Sequence, residues 1–82
     1  MKVTNNQNKF FFGCPVQPRK IEVTSSSVVL YFVYDESLYK KIRYTQTNNI
    51  TVTSNIITGK EYFYVIRINH HGNKLMIDLV NN

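Results

Sequence analysis

A chain of 82 residues, 43% of them hydrophobic, can build one small core but has no room for a cofactor domain beside a substrate domain, so two-domain enzyme architectures are excluded. Alanine and tryptophan are absent while Val, Ile, Thr, Tyr and Phe together supply 35 residues, which removes the best helix former and favours pleated, half-buried strands. Ten Lys/Arg against five Asp/Glu leave a net charge of +5, dispersed along the chain with no basic tail, which favours a polyanionic partner.

Residues 1–8 (MKVTNNQN) read as a flexible leader and 9–82 as a single β-domain. Phe10, Phe11 and Phe12 then precede Gly13-Cys14-Pro15. Proline stops ladder pairing, so this is a short first strand or an aromatic plug that closes one end of the core. An exposed docking patch is its alternative use. In 19–24, Ile21 and Val23 face one way while Lys20, Glu22 and Thr24 face the other. Residues 28–34 are apolar on both faces, the mark of a central strand covered on each side.

Residues 35–45 read both ways. As a helix they offer Asp35 as N-cap, Glu36 in the first turn, Leu38 and Ile42 at i, i+4, and basic residues toward the end. As a strand they place Leu38, Ile42 and Tyr44 inward together with Lys40. The strand is favoured, because Tyr39, Tyr44 and Thr45 are poor helix formers and 35–37 can serve as a hairpin turn.

Further along, Ile50, Val52 and Ile56 alternate with Thr51, Thr53 and Asn55. Residues 61–69 offer Tyr62, Tyr64, Ile66 and Ile68 to one face and Phe63 and Val65 to the other, with Arg67 interrupting the second. Leu75, Ile77 and Leu79 point inward from the last strand, and Gly72-Asn73 joins it to its predecessor as a tight hairpin. The expected fold is all-β or β-dominated. It is a small antiparallel meander of roughly five to seven short strands in a compact barrel or two-layer sandwich, with one short helix near 36–44 as the variant.

Little in the chain suits catalysis. Glu22, Asp35, Glu36, Glu61 and Asp78 sit beside turns or on exposed strand faces, whereas a general acid needs a carboxyl in an apolar pocket. His70 and His71 fall in one hairpin, with Cys14 far away, which is too few convergent ligands for a metal. Single glycines at the turns make no phosphate loop. The expectation is a protein that is no enzyme, with no cofactor, no metal and no small-molecule substrate. One cysteine, no apolar leader and no long apolar run point to the cytoplasm, or to host-cell cytoplasm for a phage-encoded chain, and to no membrane partner.

What remains is a constellation of basic and aromatic residues. On a strand, Tyr39, Lys41 and Arg43 would share one face with Lys40 and Tyr44 on the other, while Arg19, Lys20, Lys60, Arg67 and Lys74 come from other elements. The expected binding residues are Lys40, Lys41 and Arg43, with Tyr39 stacking and Arg19, Lys20 and Arg67 in support. The partner is a nucleic acid, a nucleoprotein complex or an acidic protein surface, as for the small basic proteins with which phages and mobile elements block a host machine. The alternative is a structural or self-assembling β-protein, homodimeric or larger, with apolar contacts centred on Phe10 to Phe12.

Overall fold

Period-two alternation of apolar side chains builds an antiparallel sheet, and a helix that the same chain supplies covers one of its faces. The computed structural model describes residues 1–5, 9–56 and 61–81. In chain order the elements are β1 (Thr4–Asn5), β2 (Phe10–Phe11), β3 (Lys20–Val23), β4 (Ser27–Val33), α1 (Glu36–Thr47), β5 (Val52–Ser54), β6 (Tyr62–His71) and β7 (Lys74–Asn81). β1 pairs with β2 in a small ribbon, and the main sheet runs β3-β4-β7-β6-β5, antiparallel throughout. It curls into a half-barrel. The Cα radius of gyration, 11.5 Å, matches the ~12 Å that length scaling gives.

The β-dominated fold is as the alternation implies, but the meander is interrupted. β3–β4 is one hairpin and β5–β6–β7 is a meander, yet β4 lies against β7 and β5 forms the far edge. The chain between β4 and β5 therefore crosses the inner face, and α1 makes that crossing.

The strand reading of 35–45 is overturned. As a helix, Leu38, Ile42 and Thr45 recur at i, i+4 and i+7 and all three are buried, whereas a strand would have driven Lys40 into the core. The backbone N–H of Leu38 donates to Asp35 Oδ1 at 2.9 Å, which caps the first turn. Thr45 donates its hydroxyl to the Lys41 carbonyl at 2.8 Å, so its polar group is satisfied inside the core. Tertiary packing and the cap outweigh the weak intrinsic propensity.

The core lies between α1 and the inner sheet face. Val28, Leu30 and Phe32 of β4, Leu75, Ile77 and Leu79 of β7, and Tyr64 and Ile66 of β6 point into it. The phenylalanine triplet is a plug: Phe11 is 3% exposed and Phe12 fully buried, and the Phe11 ring meets Phe32 edge-on with centroids 5.8 Å apart. Reaching that position holds Phe12 at φ +54 and Gly13 at φ +79, left-handed conformations that glycine adopts freely and phenylalanine does not.

Residues 1–5 of the expected leader pack into the fold, and 6–8 lie outside the described residues. Val3 is fully buried, its N–H donates to the Thr53 carbonyl at 3.0 Å, and the Phe12 N–H donates to the Val3 carbonyl at 2.8 Å. The Met1 amine donates to the Thr51 carbonyl. The start of the chain therefore lies along the outer edge of β5, adding a parallel bridge between Lys2 and Thr53. Among the described residues no helix is long and apolar enough to cross a membrane.

Candidate functional site

Helix geometry redistributes the cations expected to act together. Successive residues of a helix turn by about 100°, so Tyr39 and Arg43 share one flank of α1, Lys40 lies on its outer side, and Lys41 falls on the opposite flank. The grouping of Tyr39, Lys41 and Arg43 on one face is thus corrected, since it required a strand. Lys40 Nζ lies 3.5 Å from Glu36 Oε1, and Arg43 Nη1 donates to Gln46 Oε1 at 3.3 Å. Gln46 in turn donates to the Ile66 carbonyl at 3.1 Å, tying that flank to β6. Lys41 reaches over the turn at Gly13, its Cε 3.9 Å from where a Cβ on that glycine would sit. Beside it, burial pushes the Cys14 thiol upward, reinforced by Asp35 and opposed by Lys41.

Tyr39 belongs to an aromatic cluster. The ring of Tyr34, just before the helix, stacks on His70 of β6 with centroids 4.2 Å apart, and Tyr39 packs against both at 5.7 and 5.4 Å. His70 also bonds the Gly72 carbonyl through Nε2 at 2.8 Å. This cluster fastens the start of α1 to the β6–β7 hairpin, where Gly72 (φ +56) supplies the left-handed residue that a two-residue turn requires.

Arg19, Lys20 and Arg67 belong to the other side of the molecule. β4 is central as expected, but it is covered on one face alone. Opposite α1 the sheet is open, and Val33 (49% exposed), Val65 (47%) and Phe63 (58%) lie on that open face beside the half-buried Val29, Tyr31 and Met76. The register sets Lys20, Tyr31, Met76 and Asn69 in one row across β3, β4, β7 and β6. The next row runs Glu22, Val29, Asp78 and Arg67. At the hairpin end, Val33, Lys74 and His71 complete the face.

A concavity of about 620 Å³ opens in this face, and Arg19, Lys20, Tyr31, His71, Lys74 and Met76 are among its lining residues; none of the lining residues is acidic. Lys20 Nζ sits 5.6 Å from the Tyr31 ring centroid and 3.3 Å from Glu22 Oε1. The Tyr31 hydroxyl, with the neighbouring Lys20, holds the Glu22 carboxyl below its usual range, and Glu22 in turn raises the Tyr31 phenol. Arg19, Arg67 and Lys74 have no carboxylate within 4.0 Å among the described residues. Arg67 stands across from Asp78 in register without an ion pair, and Asp78 Oδ1 is buried with no hydrogen-bond partner among the described residues.

Known protein families, curated proteins and solved structures offer no match to this chain. The site is read from its own geometry.

Other features supply less chemistry. A second concavity, about 460 Å³ between the end of α1 and β6, has no charged residue among its described lining residues. No group of three or more His, Cys, Asp or Glu able to hold a metal occurs among the described residues. Lys60 lies outside the described residues. Lys74 and His71 were not among the expected binding residues. Their signal was the alternation of Lys74 and Met76 with the inward Leu75 and Ile77, which puts Lys74 on the face that α1 leaves open.

Proposed function

We propose that this chain is a non-enzymatic binding protein that docks on an anionic partner through the open face of its sheet. The observation that supports it is the collection of Arg19, Arg67 and Lys74, all without an ion-pair partner among the described residues, on the face opposite α1. Cations outside ion pairs keep most of their attraction for an external anion, although Asp78 stands opposite Arg67, and the apolar residues between them add contact area that is buried only on binding. Lys20 contributes beside Tyr31. Lys40, Lys41 and Arg43, on the far side with Tyr39, extend the positive field and serve as secondary contacts.

The test is fluorescence anisotropy with a labelled polyanion, single-stranded DNA in the first instance, over a salt series. With about three phosphate contacts, log K falls with log salt at a slope near −2, or about 20-fold in affinity between roughly 50 and 200 mM salt. The variant R19A/R67A/K74A flattens that slope and weakens binding, while K40A/K41A/R43A retains most of both. Full affinity and an unchanged slope in the first variant would falsify the assignment of the face.

The rival centred on Phe10 to Phe12 meets a physical obstacle. Phe11 and Phe12 are buried within the chain's own core, which leaves the half-buried Phe10 as the one ring of the three with exposed area.

A further inference from the structure

We infer that the partner of the open face is a single-stranded nucleic acid, with one base held in the recess between Tyr31, Met76 and Lys74 and the backbone tracked by Lys20, Arg19 and Arg67. This rests on the polyanion reading above and narrows it. Three observations carry it.

The first is the mixture of chemistry in the recess. Its lining includes an aromatic ring and a thioether, the half-buried Tyr31 and Met76, together with the exposed cations Arg19, Lys20 and Lys74. A ligand that satisfies both must be flat and apolar at one end and anionic at the other. An unstacked base with its phosphate has that form. An acidic peptide would pair with the cations and leave the ring and thioether wet, and a duplex keeps its base faces stacked inside and presents only base edges and phosphates.

The second is size. A volume of about 620 Å³ falls within the range of small-molecule sites, roughly 300–1,000 Å³, which leaves room for a base with its sugar. Amides are available for a base edge, since Asn69 and Asn73 also line the recess and each carries both donors and an acceptor.

The third is the spacing of the cations. Strands lie ~4.8 Å apart and each residue advances ~3.3 Å, so the register places the Lys20 and Lys74 backbones about 12 Å apart and those of Lys20 and Arg67 about 16 Å apart. A single phosphate does not span those separations. A strand of several nucleotides crossing the face does, which favours the polymer over a free nucleotide. Within the face itself Asp78, beside Arg67, is the carboxylate that opposes such a ligand, and Glu22 is already engaged by Lys20 and Tyr31.

The experiment compares labelled single-stranded DNA and RNA 12-mers, a duplex of the same length, poly-glutamate and a mononucleotide, all against the full chain by anisotropy. Amide chemical-shift mapping by NMR accompanies it. Expected are tighter binding of the single strands than of duplex or poly-glutamate, weak binding of the mononucleotide, and shifted amides along β4, β7 and the end of β6. Tyr31→Leu removes the stacking ring and weakens the single strands by roughly 5- to 100-fold, while leaving duplex binding nearly unchanged. Asp78→Asn removes the opposing charge and tightens the single strands. Equal binding of duplex, poly-glutamate and single strands, with Tyr31→Leu silent, overturns this inference and leaves the polyanion reading intact. Absence of binding to every probe at low salt overturns both. Shifts confined to α1 overturn the placement, and a melting temperature for Tyr31→Leu within a few degrees of wild type shows that the variant is folded.

Discussion

Replacing Phe11 by alanine tests whether the phenylalanine triplet is interior architecture or a contact surface. Phe11 is 3% exposed and meets Phe32 edge-on at 5.8 Å, so the truncation removes nearly a whole buried ring and half of an aromatic pair. Large-to-small changes of this kind cost about 3–5 kcal/mol, of which the ring pair accounts for about 0.5–1.5. A domain of 82 residues has about 4–12 kcal/mol in total, so F11A loses a large share of its stability. At about 4–8 °C per kcal/mol for a chain of this length, the midpoint falls by at least ~12 °C. Phe10, half-buried at the start of β2, costs about 1 kcal/mol or less when truncated. Far-UV circular dichroism melts of F10A, F11A and wild type give the comparison, with light scattering on each for molar mass. If F11A melts within a few degrees of wild type, or if it changes the mass of a stable oligomer instead of the midpoint, the burial argument is wrong and the triplet faces outward.

Tyr64 carries a buried hydroxyl with no hydrogen-bond partner among the described residues, so Tyr64→Phe is neutral or stabilising by up to about 1 kcal/mol in a urea titration. Burial also raises the Tyr64 phenol above its ordinary 10.0, so the protonated folded form is favoured. Its contribution is complete below pH 10.0 and is lost as pH rises through the raised value, and Tyr64→Phe removes that part of the alkaline decline in a series of melts. Asp35→Ala deletes the acceptor for the Leu38 N–H and lowers stability by about 1 kcal/mol, with helical signal reduced, whereas Asp35→Asn or Asp35→Ser restores most of it.

The strands were legible because half-buried strands write their two faces into alternate residues, as in Leu75, Ile77 and Leu79 against Lys74 and Asp78. The Gly72-Asn73 hairpin was legible for a similarly local reason. The helix was harder. Its start signal, Asp35, stood in the sequence, but Tyr39, Tyr44 and Thr45 argued for a strand, and only the buried trio Leu38, Ile42 and Thr45 shows which force prevails. That one choice decided the candidate site. A strand would have aligned Tyr39, Lys41 and Arg43, and a helix separates Lys41 from the other two. The gathering of Arg19, Arg67 and Lys74 depends on β4 lying beside β7, a long-range pairing that no local pattern encodes. The open face was also hidden. Residues 28–34 look as though they need cover on both sides, yet the described residues hold one helix and it lies inside.

The four residues of β3 have consequences for solubility. Every side chain there is exposed, and the strand ends the sheet, so its outer row of peptide groups offers a template to any extended segment nearby. Lys20 and Glu22 alternate with Ile21 and Val23 along it, and the two charges act as gatekeepers: an incoming strand from another molecule would have to strip water from both to stack. Neutralising that pair would leave apolar side chains alone to guard the border, so the protection of this edge rests on two exposed side chains.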